Sequence, residues 1–220
     1  MRLGIKPTVF LGRLLAFFFL TYVLWKPVAP AYTEFLATVT ASFLHLTELS
    51  SDPRWHHVTE MRVRQTADDR PAIFYQHRWY PMVQSGIPAD WVQANLVLLI
   101  PLMLATPART WRQKLWRVGL ALGIAVAMQV LDITLTVKSL YAQQIPGAYS
   151  ALAYKLYQFG DAFSESMDTQ LFPFAIWAGI HFNQLLGRGT YAATPTPAAT
   201  PAPRHKRKAE KNAAAAKTAS

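Results

Sequence analysis

Four apolar segments dominate this chain and constrain its fold more than any other feature. They run from Val9 to Trp25, from Leu96 to Ala105 with Trp91 and Val92 ahead of it, from Val118 to Val137, and from Leu171 to Leu186. A helix needs about 20 apolar residues to cross the hydrocarbon core of a bilayer. Charged residues make up only 15% of the 220 residues, against about a quarter in soluble domains. The sequence therefore predicts an all-α integral membrane protein with about four transmembrane helices.

The distribution of lysine and arginine predicts the orientation of these helices, because cytoplasmic segments of membrane proteins are enriched in both. The N-terminal segment through Arg13, the connection between the second and third helices, and the tail after the fourth contain fourteen of the 22 basic residues and one acid. The other connections, 26–90 and 138–168, contain eight basic residues and ten acids. Both termini are therefore expected in the cytoplasm.

A second interpretation of the first apolar segment is a cleaved signal peptide. Ala29-Pro30-Ala31 places small residues at a cleavage-like spacing after the segment. Arg13 inside the segment, and Trp25 and Lys26 shortly before the site, favour an uncleaved helix. The remaining topology is the same in both interpretations.

Residues 31–49 carry apolar side chains three and four positions apart, which is typical of an amphipathic helix. We expect this helix to lie on the outer leaflet or to cap the helical bundle. Glu34, His45 and Glu48 interrupt its apolar character, so insertion as a fifth span is the less favoured alternative.

Residues 55–80 change to the two-residue period of a β-strand. Alternation over 55–64, turn residues over 66–71 and strand formers over 72–80 predict a β-hairpin on the outer side. Because one hairpin is marginally stable alone, it should lean on the membrane, on the amphipathic helix or on a partner protein. The candidates for docking a partner are its aromatic residues Phe74, Tyr75, Trp79 and Tyr80. The alternative role for these four residues is an aromatic belt at the membrane surface.

Tyrosines spaced among alanines over 149–157 predict a further helix at the level of the lipid headgroups. The tail after Thr190 is rich in Pro, Ala and Thr and ends in a basic cluster, so we expect it to be disordered. This cluster suits anionic lipids or the fixing of topology better than it suits nucleic acid. Membrane lipids are therefore an expected partner and nucleic acid is not.

These patterns divide the chain into six segments. They are an N-terminal transmembrane anchor (1–25), an extracytoplasmic amphipathic helix with the β-hairpin (26–90), a transmembrane helical hairpin with a basic cytoplasmic loop (91–137), an extracytoplasmic interfacial helix (138–168), a transmembrane helix (169–188) and a disordered cytoplasmic tail (189–220).

Three polar residues within the predicted spans are candidates for a functional site. Gln129 and Asp132 are three positions apart on the third helix and lie on one side of it. Asn95 lies near the outer end of the second helix, at a similar predicted depth in the membrane. Because polar residues inside membranes often serve function, Asn95, Gln129 and Asp132 predict a small polar pocket. The alternative is hydrogen bonding between helices that fixes the bundle.

Several catalytic chemistries are excluded or unsupported. The chain has no cysteine, which excludes disulfides, thiolate metal sites and cysteine nucleophiles. His56 and His57 are adjacent, so on a strand they face opposite sides, and they lack the helical spacing of a zinc protease. The sequence contains neither a phosphate-binding glycine loop nor a nucleophile elbow. We therefore assign no catalytic residue, metal or cofactor.

The sequence WVQANLVLLIPLMLATPARTWRQKLWRVGLALGIAVAMQVLDI resembles the core of the exosortase and archaeosortase membrane proteins. In those families a Cys-Ser-Gly motif begins one helix and an Asn-x-x-Arg motif ends the next. Here Gln129-Val130-Leu131-Asp132 takes the place of the second motif, and Trp91 to Asn95 takes the place of the first, without a cysteine. Both catalytic elements are missing, so the activity does not carry over.

The whole layout is similar to that of the exosortase-associated membrane proteins. The shared features are the opening helix that ends in LWKPVAPAY, the extracytoplasmic hairpin and the NL…LATPAR…W segment. This resemblance implies a non-catalytic accessory protein of the bacterial inner membrane, in a protein-sorting system linked to exopolysaccharide. It would bind or stabilise an exosortase-type transpeptidase or its substrate. The alternatives are a membrane hydrolase or transferase that uses Asp132 with His57 or His77, and a transporter subunit.

Overall fold

The computed structural model describes residues 7–48, 58–66, 68, 70–108, 110–145, 147, 149–168 and 171–185. In chain order these residues form α1 (Pro7–Thr47), β1 (Thr59–Gln65), β2 (Pro71–His77), β3 (Gln84–Pro88), α2 (Ala89–Ala105), α3 (Trp111–Gln144), α4 (Ala151–Asp168) and α5 (Leu171–Leu185). The predictions for His56, His57 and the tail 189–220 lie outside the described residues.

Two of these helices, α1 and α3, are long and apolar enough to cross a membrane. α1 has 41 residues, and at 1.5 Å per residue it extends about 60 Å, twice the ~30 Å of a hydrocarbon core. α3 has 34 residues. α2 and α5 are apolar but shorter, with 17 and 15 residues. The prediction of a mainly helical chain is therefore confirmed, with two helices rather than four that are long and apolar enough to cross a membrane among the described residues.

α1 runs without interruption through Pro27 and Pro30, where the sequence suggests a boundary between an anchor and a separate amphipathic helix. A proline inside a helix removes one backbone hydrogen bond. Packing of the C-terminal half of α1 compensates, because Leu36 and Leu44 are completely buried against the sheet and α3. The apolar side chains before Trp25 are mostly exposed, as lipid-facing residues would be.

The sheet is antiparallel, with the strand order β1-β2-β3. β1 and β2 form the predicted hairpin, in which Thr59 pairs with His77 and Gln65 with Pro71. β3 is a third strand that the sequence did not predict, and it pairs with β2 from Gln84 to Pro88. Gly86 and Pro88 are poor strand formers, which explains why pattern alone missed this strand.

The sheet packs on the C-terminal parts of α1 and α3, and one buried carboxylate holds the start of β1. Glu48, next to the end of α1, accepts hydrogen bonds from the Val58 N–H at 3.1 Å and from the Thr59 hydroxyl. β1 therefore begins at the end of the molecule that is remote from the apolar half of α1. β2 returns to that end, where the centres of the His77 and Tyr141 rings are 4.9 Å apart. β3 then leads back to α2.

α4 runs antiparallel to α3. The Lys138 ammonium lies 5.6 Å from the centre of the Tyr157 ring, and the Thr136 hydroxyl donates a 2.8 Å hydrogen bond to Asp161. Gly160 packs against Leu135 so closely that an added Cβ would lie 3.1 Å from its methyl groups. Later residues of α4 thus contact earlier residues of α3. α4 therefore returns along α3, where the sequence suggested a helix lying across the membrane surface.

Candidate functional site

The structure places Asn95 and Gln129 beside one cavity and Asp132 beside another. Asn95 and Gln129 border a void of about 10 Å³ between α2, α3 and α5, which has room for about one water molecule. Asp132 instead borders a cavity of about 550 Å³ on another side of α3. Three positions rotate a helix by about 300°, so the side chains of Gln129 and Asp132 diverge by about 60° and meet different neighbours.

Two buried glutamines tie α1, α2 and α3 together, and we call Gln93 and Gln129 the glutamine clamp. The Gln93 amide nitrogen donates to the Thr33 hydroxyl at 2.7 Å and to the Ala29 carbonyl at 3.2 Å. Its amide oxygen accepts a 3.1 Å hydrogen bond from the Trp25 indole. Both ends of the Gln93 side chain are therefore used to join α2 to α1.

Gln129 extends the clamp to α3. Its amide nitrogen donates a 2.6 Å hydrogen bond to the Val92 carbonyl on α2, and its amide oxygen accepts a hydrogen bond from the Tyr32 hydroxyl on α1. These bonds match the alternative role that the sequence suggested for Gln129, hydrogen bonding between helices. Sequence reasoning missed Gln93, although a glutamine within an apolar segment is itself a signal of such bonding.

A larger site lies beside β3, and we call it the β3 cavity. Its volume of about 550 Å³ lies within the range of about 300–1,000 Å³ that is typical of ligand sites. It opens between the inner face of the sheet, the start of α2, and the facing sides of α3 and α4. The residues that line it are Tyr75, Ser85, Gly86, Ile87, Pro88, Trp91, Val92, Asp132, Thr136 and Asp161.

The polar side chains of the β3 cavity favour a ligand that donates hydrogen bonds or carries positive charge. Among the described residues that line it, the two charged ones, Asp132 and Asp161, are both acidic. Burial raises the pKa of the Tyr75 hydroxyl, the hydrogen bond with Ser85 opposes that rise, and the nearby charge of Asp161 adds to it. Tyr75 therefore stays neutral next to the carboxylate of Asp161. Sequence reasoning missed Asp161, because it lies outside the predicted spans.

His77 does not join Asp132 in the β3 cavity, as a catalytic pair would require. Its ring is buried, and its Nδ1 accepts hydrogen bonds from the backbone N–H groups of Trp79 and Tyr80, both at 3.2 Å. Burial also lowers the pKa of His77, which favours the neutral ring. Within the described part of the chain, no three His, Asp or Glu side chains form a group suited to a metal ion.

The four aromatic residues predicted to dock a partner are divided by the sheet. Tyr75 is buried on the inner face. Phe74 lies on the outer face, half-buried over Gly86, where an added Cβ would lie 3.0 Å from its ring. Trp79 and Tyr80 lie in the loop between β2 and β3 and are exposed together with Met82. We call the exposed residues Trp79, Tyr80 and Met82 the distal tip.

Comparison of the chain with protein-family models, with curated proteins and with solved structures gives no match.

Proposed function

We propose that this chain is a non-catalytic accessory membrane protein of an exosortase-type protein-sorting system, and that it binds the sorting transpeptidase through the distal tip. The observation that carries this proposal is the exposure of three large side chains in one loop. Trp79 is 60% exposed, Tyr80 48% and Met82 93%. Exposed apolar clusters mark interaction sites, and Trp, Tyr and Met are enriched in the cores of protein interfaces.

The position of the distal tip supports docking over an aromatic belt at the membrane surface. The tip follows His77, which packs against Tyr141. Tyr141 is twelve residues, about 18 Å along the helix, beyond Gln129 in the clamp. Trp91, at the start of α2, is also exposed, and in the proposed four-span arrangement it lies nearer the membrane than the tip does. An aromatic belt lies at the headgroup level. The distal tip instead lies at the end of the sheet opposite to the start of α2.

The same proposal includes four spans, formed by α1, α2, α3, and α5 together with the end of α4. α5 is tied to the inner end of α2, since the Trp177 indole donates a 2.7 Å hydrogen bond to Thr106. An apolar stripe on α4 suits lipid contact, and its exposed residues are Leu152, Leu156, Phe159 and Phe163. The lysine and arginine residues concentrate in the terminal segments and in the connection between α2 and α3, which supports cytoplasmic termini. The bacterial inner membrane is what the resemblance to exosortase-associated proteins implies.

Site-specific photo-cross-linking in the native membrane tests the docking proposal. A photoreactive residue at Met82 is expected to cross-link to an exosortase-type transpeptidase, identified by mass spectrometry. The matched control position is Leu46, which is also exposed and apolar but lies on α1. Cross-links to bulk membrane proteins alone, or the same products from both positions, would contradict the proposal.

A second measurement relates the tip to affinity. Trp79→Ser, Tyr80→Ser and Met82→Ser combined are expected to lower recovery of the transpeptidase at least tenfold, because such residues are typical interface hot spots worth about 2 kcal/mol or more. The amount of the accessory protein in the membrane should not change, since these side chains contribute little to the core. Unchanged recovery would show that the tip is not the interface.

A further inference from the structure

We propose that the β3 cavity binds an extended polypeptide, whose backbone pairs with the open edge of β3 and whose lysine or arginine side chain lies between Asp132 and Asp161. This site shares no residue with the distal tip, so it stands independently of the proposed docking to a transpeptidase.

The open edge of β3 follows from the strand register. The His77 N–H donates a 3.0 Å hydrogen bond to the Val83 carbonyl, and hydrogen-bonded pairs alternate along an antiparallel ladder. Ser85 and Ile87 therefore bond to β2, while Gln84 and Gly86 direct their N–H and C=O groups away from it. Within the described part of the chain, β3 is the last strand of the sheet.

The sequence of β3 makes this edge accessible at the cavity. Four consecutive residues from Ser85 to Pro88 line the cavity, so the edge runs along it. Gly86 has no side chain to cover its backbone groups. Pro88 lacks an N–H at a position that faces the open edge, which is where a proline is tolerated in a strand. Edges of this kind are templates for adding another strand.

The negative charge of the cavity favours a basic side chain on the added strand. Asp161 comes from α4 and Asp132 from α3, and both line the cavity next to the edge. A guanidinium or ammonium group forms charge-assisted hydrogen bonds with carboxylates. Trp91 also lines the cavity with an exposed ring, and an aromatic face attracts a cation.

An ammonium headgroup of a lipid is the other cation that this cavity would meet, since the cavity lies at the outer ends of α2 and α3. A lipid ammonium group has no backbone that could pair with the edge of β3, whereas an extended polypeptide can bond both to this edge and to the carboxylates. The four lining residues of β3 therefore favour the polypeptide.

Fluorescence anisotropy with the full chain in phosphatidylcholine nanodiscs tests the proposal. The probe is a labelled decapeptide of Ser, Thr and Val with one central Arg, and empty nanodiscs give the background. Two further peptides isolate the two contacts: citrulline in place of Arg removes the charge, and N-methylation of alternate amides removes strand pairing. Each change is expected to weaken binding at least tenfold, and these comparisons need no protein variant.

Asp132→Asn and Asp161→Asn then locate the site. Each is expected to weaken binding of the Arg peptide about 10- to 100-fold, the cost of losing a hydrogen bond between charged groups. Asp90→Asn is the matched control, because Asp90 lies at the same end of the molecule, does not line the cavity and has an exposed side chain 3.8 Å from Arg70. This variant should bind like the native chain.

Three results would overturn the proposal. They are equal binding of the citrulline or N-methylated peptide, unchanged binding by both Asp→Asn variants, and displacement of the Arg peptide when phosphatidylethanolamine replaces phosphatidylcholine. The last result would assign the cavity to a lipid ammonium group. None of these results depends on the transpeptidase, so failure here and failure of the docking proposal are distinguishable.

Discussion

The glutamine clamp and the β3 cavity both contain polar side chains of α3. Gln129 belongs to the clamp and Asp132, three residues later, belongs to the cavity, yet the two regions differ in how their polar groups are used. In the clamp, both ends of Gln93 and Gln129 meet partners on neighbouring helices. In the cavity, two carboxylates and three hydroxyl groups line about 550 Å³ of open space. Polar residues near each other on one helix therefore lie in different surroundings, Gln129 among hydrogen-bonding partners on neighbouring helices and Asp132 at the wall of a cavity.

The difference follows from the neighbours of each face of α3. Gln129 faces α1 and α2 and is buried, and a buried amide must be hydrogen-bonded. Asp132 faces the gap between the sheet and α4. Because β3 ends the sheet beside this gap, no further strand among the described residues fills it.

The largest expected effect is on the clamp. Gln129→Leu keeps the apolar bulk but removes the acceptor of the Tyr32 hydroxyl and the donor to the Val92 carbonyl. A buried hydrogen-bonding group left without its partner costs about 1–3 kcal/mol, so we expect the free energy of unfolding to fall by about 2 kcal/mol. Equilibrium unfolding of the purified protein in mixed micelles measures this. A loss below about 0.5 kcal/mol would show that the clamp does not hold the helices.

The second prediction concerns the wall between α3 and α4. In Gly160→Val, the added atoms meet the Leu135 methyl groups, 3.1 Å from an ideal Cβ. Overpacking of this kind costs about 1–3 kcal/mol, and because the ends of the leucine side chain can move, we expect about 1.5 kcal/mol. Leu135→Ala in the same chain should recover part of this loss. Equal losses with and without Leu135→Ala would mean that the close packing is not the cause.

The parts of the fold that sequence predicted depend on local patterns. The β1-β2 hairpin follows from two-residue alternation and from turn residues between Thr66 and Pro71, all of which act within one short segment. β3 was missed because Gly86 and Pro88 carry signals against a strand, and its pairing with β2 overrides them. Likewise, Pro27 and Pro30 signal a helix end, while the burial of Leu36 and Leu44 beyond them keeps α1 continuous.

The candidate site was less predictable, because its contacts join residues that are distant in the chain. Gln93 meets Trp25 and Thr33, and Gln129 meets Tyr32, through helix packing that no local pattern specifies. Asp132 was identified by its place in an apolar segment. Asp161 was not, because its proximity to the cavity depends on the antiparallel return of α4 along α3.

The third prediction is smaller and concerns the sheet above the cavity. Burial lowers the pKa of His77 below its usual value near 6.5, so below that pH the unfolded chain binds a proton more readily than the folded chain does. Stability contributed by His77 is therefore present above pH 6.5 and is lost as the pH falls below it. Protonation would also abolish the acceptor for the Trp79 and Tyr80 N–H groups.

Thermal unfolding between pH 7.5 and 5 measures this effect. His77→Phe retains a ring against Tyr141 but does not titrate, so its melting temperature should change less over this range than that of the native chain. The baseline of this variant is lower because the acceptor is lost, and the pH dependence is the informative quantity. Parallel pH profiles for the two proteins would exclude His77 as the cause.

The smallest effect on stability is expected at the cavity, and it gives the sharpest contrast with Gln129→Leu. In Asp161→Asn, the remaining amide oxygen can still accept the Thr136 hydrogen bond, and Asp132→Asn keeps the size and shape of a side chain that lines the cavity. We therefore expect the free energy of unfolding to change by less than about 0.5 kcal/mol, in the same mixed-micelle assay. A loss like that of Gln129→Leu would mean that these carboxylates hold the fold as the clamp does, and the distinction between the two regions would disappear.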